Sequence, residues 1–299
     1  MRKLEELLAP KADAVGYRLG WAGEAAERIR EAVPATLTDV ELGALDVEQL
    51  LTCPGWWTGT KLDVPFPSCA GELRRQLFHD VCVHYLSTAA IWGTIHPLEF
   101  ARDYLAADKH FGALQATWLC LMSDDDRRDL ASELASCLTR LVSSWPGLLD
   151  SSVATIGPVR ESLAIGGVRL LASHVDATVG VHRRGSDAVW PGSVLVRFVA
   201  EEPTMKNVEE MSLGALVHTI TTGCPPLRIV LYDLLADDGF GVDVERDWLE
   251  TAIGMVRASL GRLVQVRLHG VVEVQPGTHC VTCPLKSECD FGSTDEDKW

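Results

Sequence analysis

Apolar residues recur at helical intervals through the first half of the chain. Residues 5–33 carry them at mixed helical spacing up to Pro34, and residues 39–51 form a second helical segment stopped by Cys53-Pro54-Gly55. Across residues 71–88, Leu73, Leu77, Val81 and Tyr85 fall four apart, which puts them on one helical face. Pro97 suits the first turn of a helix that continues to residue 107. Ser123 before Asp124, Asp125 and Asp126 is a helix start, a hydroxyl cap with acids where the helix dipole favours negative charge. Leu130, Leu134, Leu138, Leu141 and Trp145 mark the buried face of that helix, and Pro146 ends it.

Beyond residue 150 the pattern changes to short runs of Val, Leu, Ile and Ala. Residues 162–165 and 168–181 flank Gly166-Gly167, which predicts a hairpin. Gly185 and Pro191-Gly192 are turn material, and residues 193–200 read as a third strand. A helix over residues 208–222 ends at Gly223, and Pro225-Pro226 introduces a fourth strand over 227–235. Residues 242–244 form a short fifth strand. Trp248, Ala252, Val256, Leu260 and Leu263 predict a long helix. The expectation is an α/β protein, a mixed central sheet with flanking helices. Its divisions are a helical N-terminal region (1–150), an α/β core (151–275) and a Cys-rich tail (276–299).

Composition narrows the class. A chain of 299 residues with 47% hydrophobic and 23% charged residues buries a large core and excludes long disorder. Basic residues number 27 and acidic residues 42, a formal charge of −15, which argues against a protein coated in basic surface but leaves room for a local basic groove. No apolar run is long enough for a membrane helix, and residues 1–8 do not read as a secretory leader. A cytoplasmic protein with no membrane partner is expected, and with it no disulfide framework among the nine cysteines. Cys69, Cys82, Cys120, Cys137 and Cys224 sit singly and read as small buried hydrophobes.

Cys280, Cys283 and Cys289 are different. They form C-x2-C-x5-C, and thiolates at this spacing converge on one metal or cluster, with Pro284 favouring the turn. Cys53, in its Cys-Pro-Gly stop, is the best placed fourth ligand by character. An iron–sulfur cluster is the first reading, zinc the second and unliganded tail cysteines the third. His279 is a poor zinc ligand because it adjoins Cys280. One Cys in a Cys-Pro stop, a long interval, then C-x2-C-P-x4-C near the end resembles the iron-stapled branch of the RecB-like PD-(D/E)XK nucleases. That branch includes the AddB-like and CRISPR-adaptation-like proteins. The resemblance spans about residues 45–291 and implies a restriction-endonuclease-like core and a [4Fe–4S] cluster on Cys53, Cys280, Cys283 and Cys289. A cross-link closing so long a loop mainly restricts the unfolded chain, so it needs no redox duty.

The same resemblance implies an Asp on one strand, Asp/Glu-x-Lys on the next and a His from an earlier helix, with the acids holding Mg2+ or Mn2+. Asp176 matches the first position, and His79, with His84 behind it, matches the helical His. The next strand departs: Arg197 stands where the second carboxylate belongs and Val199 where the Lys belongs. A metal that needs one or two carboxylates loses them here, so the nuclease site is degenerate and Arg197 is expected to pair with Asp176 in the metal's place. Glu201, Glu202, Lys206, Glu209 and Glu210 are the groups that could stand in if catalysis has relocated, and a solvated loop and helix start is the plainer reading. Trp56-Trp57, Arg74-Arg75 and Arg183-Arg184 are weak nucleic-acid candidates, and Asp295-Glu296-Asp297 reads as a solvated tail. No Walker loop is present, so an ATP-driven motor would be another chain. The leading expectation is an inactive RecB-like protein binding DNA or serving as a scaffold beside a helicase, nuclease or ATPase in DNA repair, recombination or antiviral defence. The alternatives are an active metal-dependent DNase using Asp176, a scaffold without DNA affinity, and a redox sensor.

Overall fold

The computed structural model of the protein describes residues 7, 20–61, 69–92, 95–107, 111–144, 154–156, 162–172, 174–180, 193–270, 272, 274–281, 283–286 and 289. The helices are α1 (Trp21–Arg30), α2 (Ala44–Thr52), α3 (Pro54–Thr60), α4 (Ala70–Trp92), α5 (Pro97–Ala106), α6 (Ala113–Cys120), α7 (Asp124–Ser144), α8 (Met205–Thr222) and α9 (Arg246–His269). The strands are β1 (Val40–Leu42), β2 (Ala154–Ile156), β3 (Ser162–Ile165), β4 (Val168–Leu171), β5 (Ala177–Gly180), β6 (Ser193–Val199), β7 (Arg228–Asp233) and β8 (Asp238–Asp243). Among these residues, no helix is long and apolar enough to cross a membrane.

The larger sheet has five strands in the order β2-β5-β6-β7-β8. Strands β2, β5 and β6 are joined antiparallel in that order, α8 crosses back so that β7 lies parallel to β6, and β8 returns antiparallel. Strands β6 and β7 are buried on both faces, which is why they read as apolar runs rather than as alternation. Val196 and Phe198 of β6 pack with Leu77, Val81 and Tyr85 of α4 and with Leu134 and Leu138 of α7. Leu195, Ile229 and Leu231 look the other way, into a second apolar core with α1, α2, α8 and α9. A smaller sheet of order β1-β4-β3 completes that core.

Several predicted elements fall where the pattern put them. Pro97 opens α5, and Gly223 caps α8 in the left-handed conformation at φ 77°. Ser123 caps α7 by accepting the Asp126 N–H at 3.1 Å. Ser123→Ala is expected to lower stability by about 1 kcal/mol, read from urea unfolding, because the Asp126 N–H loses its partner at the helix start.

Four expectations need correction. Residues 39–51 are not one helix: Val40–Leu42 alternate buried, exposed, buried and pair parallel with β4, and α2 begins only after Gly43. The stop at Cys53 is one residue long, since Pro54 opens α3 as its first residue. Residues 168–181 are not one strand. The chain leaves the small sheet after Leu171, turns through His174 at φ 72° and enters the large sheet at Ala177, so two sheets replace the single central one. The pattern also gave no sign of α6 or β2, both short. Finally, the boundary near residue 150 does not follow the packing: β1 pairs with β4, and elements from both sides of it share each apolar core. Trp145, Pro146, Gly185, Pro191, Gly192, Arg183, Arg184 and Asp295-Glu296-Asp297 lie outside the described residues.

The β3–β4 hairpin depends on Gly167. A Cβ there would sit 1.9 Å from the Leu37 carbonyl oxygen, so only glycine lets this turn reach the chain before β1.

Candidate functional site

Helix α4 carries His79 along one wall of a cleft of about 1020 Å³, and the start of β5 carries Asp176 into its floor. The two side chains meet: His79 Nε2 lies 2.9 Å from Asp176 Oδ1. The other carboxylate oxygen, Oδ2, accepts the Phe198 backbone N–H at 2.8 Å. The pairing of Ala177 with Val196 would place Asp176 opposite Arg197. The ladder is broken before that point, because the Asp176 N–H bonds the Val196 carbonyl while its side chain takes the N–H of Phe198. A side-chain oxygen thus substitutes for a backbone acceptor at the edge of the β5–β6 ladder.

His79 has a carboxylate on each ring nitrogen, since Nδ1 lies 3.1 Å from Asp80 Oδ1. Burial alone would lower its pKa, but the hydrogen bonds to Asp176 and Asp80 outweigh it and raise the pKa to about 10. The ring is therefore an imidazolium at neutral pH. It compensates the charge of Asp176, whose side chain is only 7% exposed.

Arg197 does not pair with Asp176 as expected. Its guanidinium turns to Glu210 of α8, and both side chains are largely buried. The physical reason is that both oxygens of Asp176 are already engaged and α8 brings Glu210 against the β6 strand. Val199 is a buried aliphatic in register with Asp233 of β7, so no cation stands at the position where the resemblance puts Lys. His174, in its left-handed turn, faces the same cleft. Burial, then the Arg197 charge, lowers its pKa to about 4 and keeps it neutral. His174, Asp80 and Glu210 are the cleft partners that the motif did not single out as a group. The sequence signals available were the adjacency of Asp80 to His79 and the two-residue spacing of His174 from Asp176.

The other candidates are mostly occupied. Glu201 follows the end of β6 and pairs with Arg75 at 3.2 Å on the cleft rim, and Lys206 pairs with Glu48 of α2 at 3.0 Å. Arg74 pairs with Glu133. Exposed His84 lies against the rings of Phe100 and Tyr104, on α5. Trp57 is buried and donates to Asp46 at 2.9 Å, with Lys61 and Arg267 over its ring. Trp56 stacks on His279 at 5.2 Å. Neither Trp ring is offered to a base.

The C-terminal segment that carries the tail cysteines lies against the α2–α3 junction that carries Cys53. Cys53 is buried in extended backbone between two helices. Its position is held from behind by Arg262 of α9, which donates to the Leu50 carbonyl at 2.9 Å and to Leu51. The C-terminal segment folds over α3: Gly55 backs on Val274 and Val272, and Gly59 on Leu285 and Pro284. Backbone N–H groups point at two of the sulfurs, Gln275 at Cys53 (3.5 Å) and Gly277 at Cys280 (3.4 Å). Burial pushes the Cys283 thiol up, a backbone hydrogen bond at Leu285 opposes the rise, and the charges of Cys53, Cys280 and Cys289 add to it. Among the described residues, no group of three or more His, Cys, Asp or Glu side chains is arranged to hold a metal ion. Four cysteine sulfurs are a soft donor set, one that suits zinc as well as an iron–sulfur cluster. Of the single cysteines, only Cys82 and Cys137 are buried; Cys69 and Cys120 are exposed and Cys224 is intermediate, which corrects the expectation for those three.

No family model matches the chain, and no curated protein matches it.

Proposed function

We propose that this protein is a catalytically inert, RecB-like PD-(D/E)XK protein that acts as a non-catalytic subunit, a scaffold or nucleic-acid-binding partner of a separate helicase, nuclease or ATPase. DNA repair, recombination or antiviral defence are the processes this resemblance implies. The observation that carries the reading is the state of Asp176. One oxygen faces the His79 imidazolium and the other takes the Phe198 N–H. A divalent metal arriving there would have to displace a cation and break a backbone hydrogen bond, with Arg197 in the strand position that the resemblance gives to the second carboxylate. The β5–β6 pairing, with α8 crossing over to β7, supports a restriction-endonuclease-like core.

Cys53, Cys280, Cys283 and Cys289 would hold a [4Fe–4S] cluster, which supplies a cross-link between the α2–α3 junction and the C-terminal segment. The packing of the tail segment on the Cys53 junction, and the N–H groups aimed at Cys53 and Cys280, support that assignment.

Between scaffold and nucleic-acid binder, the ion pairs favour the scaffold. Arg75, Arg169 and Arg197 all line the cleft, and each is paired with an acid: Glu201, Glu41 and Glu210. With a formal charge of −15, little free positive charge faces a phosphate backbone. The test is a binding and cleavage assay on single- and double-stranded DNA with Mg2+ or Mn2+. No cleavage, and no binding at low salt, is expected. Metal-dependent cleavage lost in Asp176→Ala would instead establish the active nuclease. Binding that weakens steeply as salt rises would establish phosphate contacts.

A further inference from the structure

Two buried thiols outside the cleft and the tail lie against each other. Cys82 of α4 and Cys137 of α7 have their sulfurs 3.7 Å apart, and their residues are 0% and 1% exposed. Cys137 also donates to the Leu234 carbonyl at 3.1 Å. Above them the surface between α4 and α7 dips into a depression of about 440 Å³, lined by Phe78, Ser136, Arg140 and Leu235 among others. Phe78 lies one helical turn before Cys82, while Ser136 adjoins Cys137 and Arg140 lies one turn after it. Arg140 is held there by its bond to the Leu235 carbonyl at 3.3 Å.

We infer that Cys82 and Cys137, buried beside this depression, form an oxidisable dithiol that takes a small hydroperoxide and closes to a disulfide. Cys137 is the attacking sulfur, since its helix neighbours Ser136 and Arg140 both line the depression. Its contact with Cys82, and after that the Arg140 charge, lower its thiol pKa against the opposing burial, whereas the contact with Cys137 and burial raise that of Cys82. The Cys137 thiolate attacks one peroxide oxygen, so an S–O bond forms, the O–O bond breaks, and the alcohol or water leaves with the thiol's proton. The Cys82 sulfur then attacks the sulfenic sulfur; the S–S bond forms and water leaves. The dithiol has lost two electrons and two protons, and the peroxide has been reduced to an alcohol and water. Closing the bond draws the sulfurs about 1.7 Å nearer and ties α4 to α7. Only a small oxidant fits, because neither sulfur reaches solvent directly.

The experiment uses the full chain, reduced, freed of reductant and exposed to graded hydrogen peroxide. It is then denatured in an alkylating reagent and mapped by peptide mass. Exposed Cys69 and Cys120 report how far the oxidant has acted. A cross-linked Cys82–Cys137 peptide, lighter by two hydrogens and restored by dithiothreitol, is the expected result. Recovery of both as free thiols once Cys69 and Cys120 are fully oxidised overturns the inference. So does finding them as separate sulfinic acids or paired with other cysteines. The outcome is independent of the iron–sulfur assignment, which rests on different residues.

Discussion

Cys280→Ser is expected to release the iron and to lower folding stability by about 5 kcal/mol, the cost of reopening a loop that spans most of the chain. The two ends of that loop are held only lightly otherwise. Among the described residues the C-terminal segment touches α3 through Val272, Val274, Pro284, Leu285 and the His279 ring on Trp56, and bonds Cys53 through one N–H···S contact. A domain has about 5–15 kcal/mol in total, so the variant should unfold partly near 37 °C. The measurement is iron and acid-labile sulfide on anaerobically purified protein, paired with urea unfolding. Wild type should carry the two in the equal ratio of a [4Fe–4S] cluster. Cys69→Ser serves as the control, since Cys69 is exposed and far from the motif in sequence; it should change neither metal content nor stability. Zinc, or no metal and no loss of stability in Cys280→Ser, would sink the staple and with it much of the family resemblance.

The second large effect lies in the cleft. Asp176→Ala is expected to cost about 2 kcal/mol, because it leaves the partly exposed His79 charge with Asp80 alone and strips the Phe198 N–H of its acceptor. Asp176→Asn keeps an oxygen for that N–H and should cost less. The pair also shapes the pH profile. His79 has a folded pKa of about 10 against an ordinary value of 6.5. A raised value means the folded state holds a proton that the unfolded state releases. The stabilisation is therefore complete below pH 6.5 and is lost as pH rises towards 10. Urea unfolding at pH 6 and pH 9 should show wild type losing stability across that interval and Asp176→Ala losing distinctly less. Equal losses in both proteins would mean that the Asp176 hydrogen bond does not hold the proton on His79.

Fold legibility followed how local each signal was. Helix α7 could be read because its cap, its acidic first turn and its apolar stripe all lie within one segment, and α8 likewise runs to a left-handed glycine. Strand β1 could not, because three residues ending in a helix look like that helix until β4 is there to pair with them. The break between β4 and β5 was equally invisible, since an apolar run carries no mark saying that its halves belong to different sheets.

The site divided along the same line. Residue types and spacing put Cys280, Cys283 and Cys289 in one motif and offered Cys53 as a fourth by character, while it was the family resemblance that grouped Asp176 with His79 and set Arg197 and Val199 at odds with them. Which groups pair was a matter of three-dimensional contact. His79 meets Asp176 across residues far apart in the chain, and Arg197 turns away to Glu210 because α8 brings that carboxylate to its guanidinium. The contact between Cys82 and Cys137 likewise exists only because α4 and α7 share one core. The chain by itself carries the chemistry available at each position; the packing of distant elements decides which charges are neutralised and which thiols touch, since those energies depend on distances that spacing along the chain does not contain.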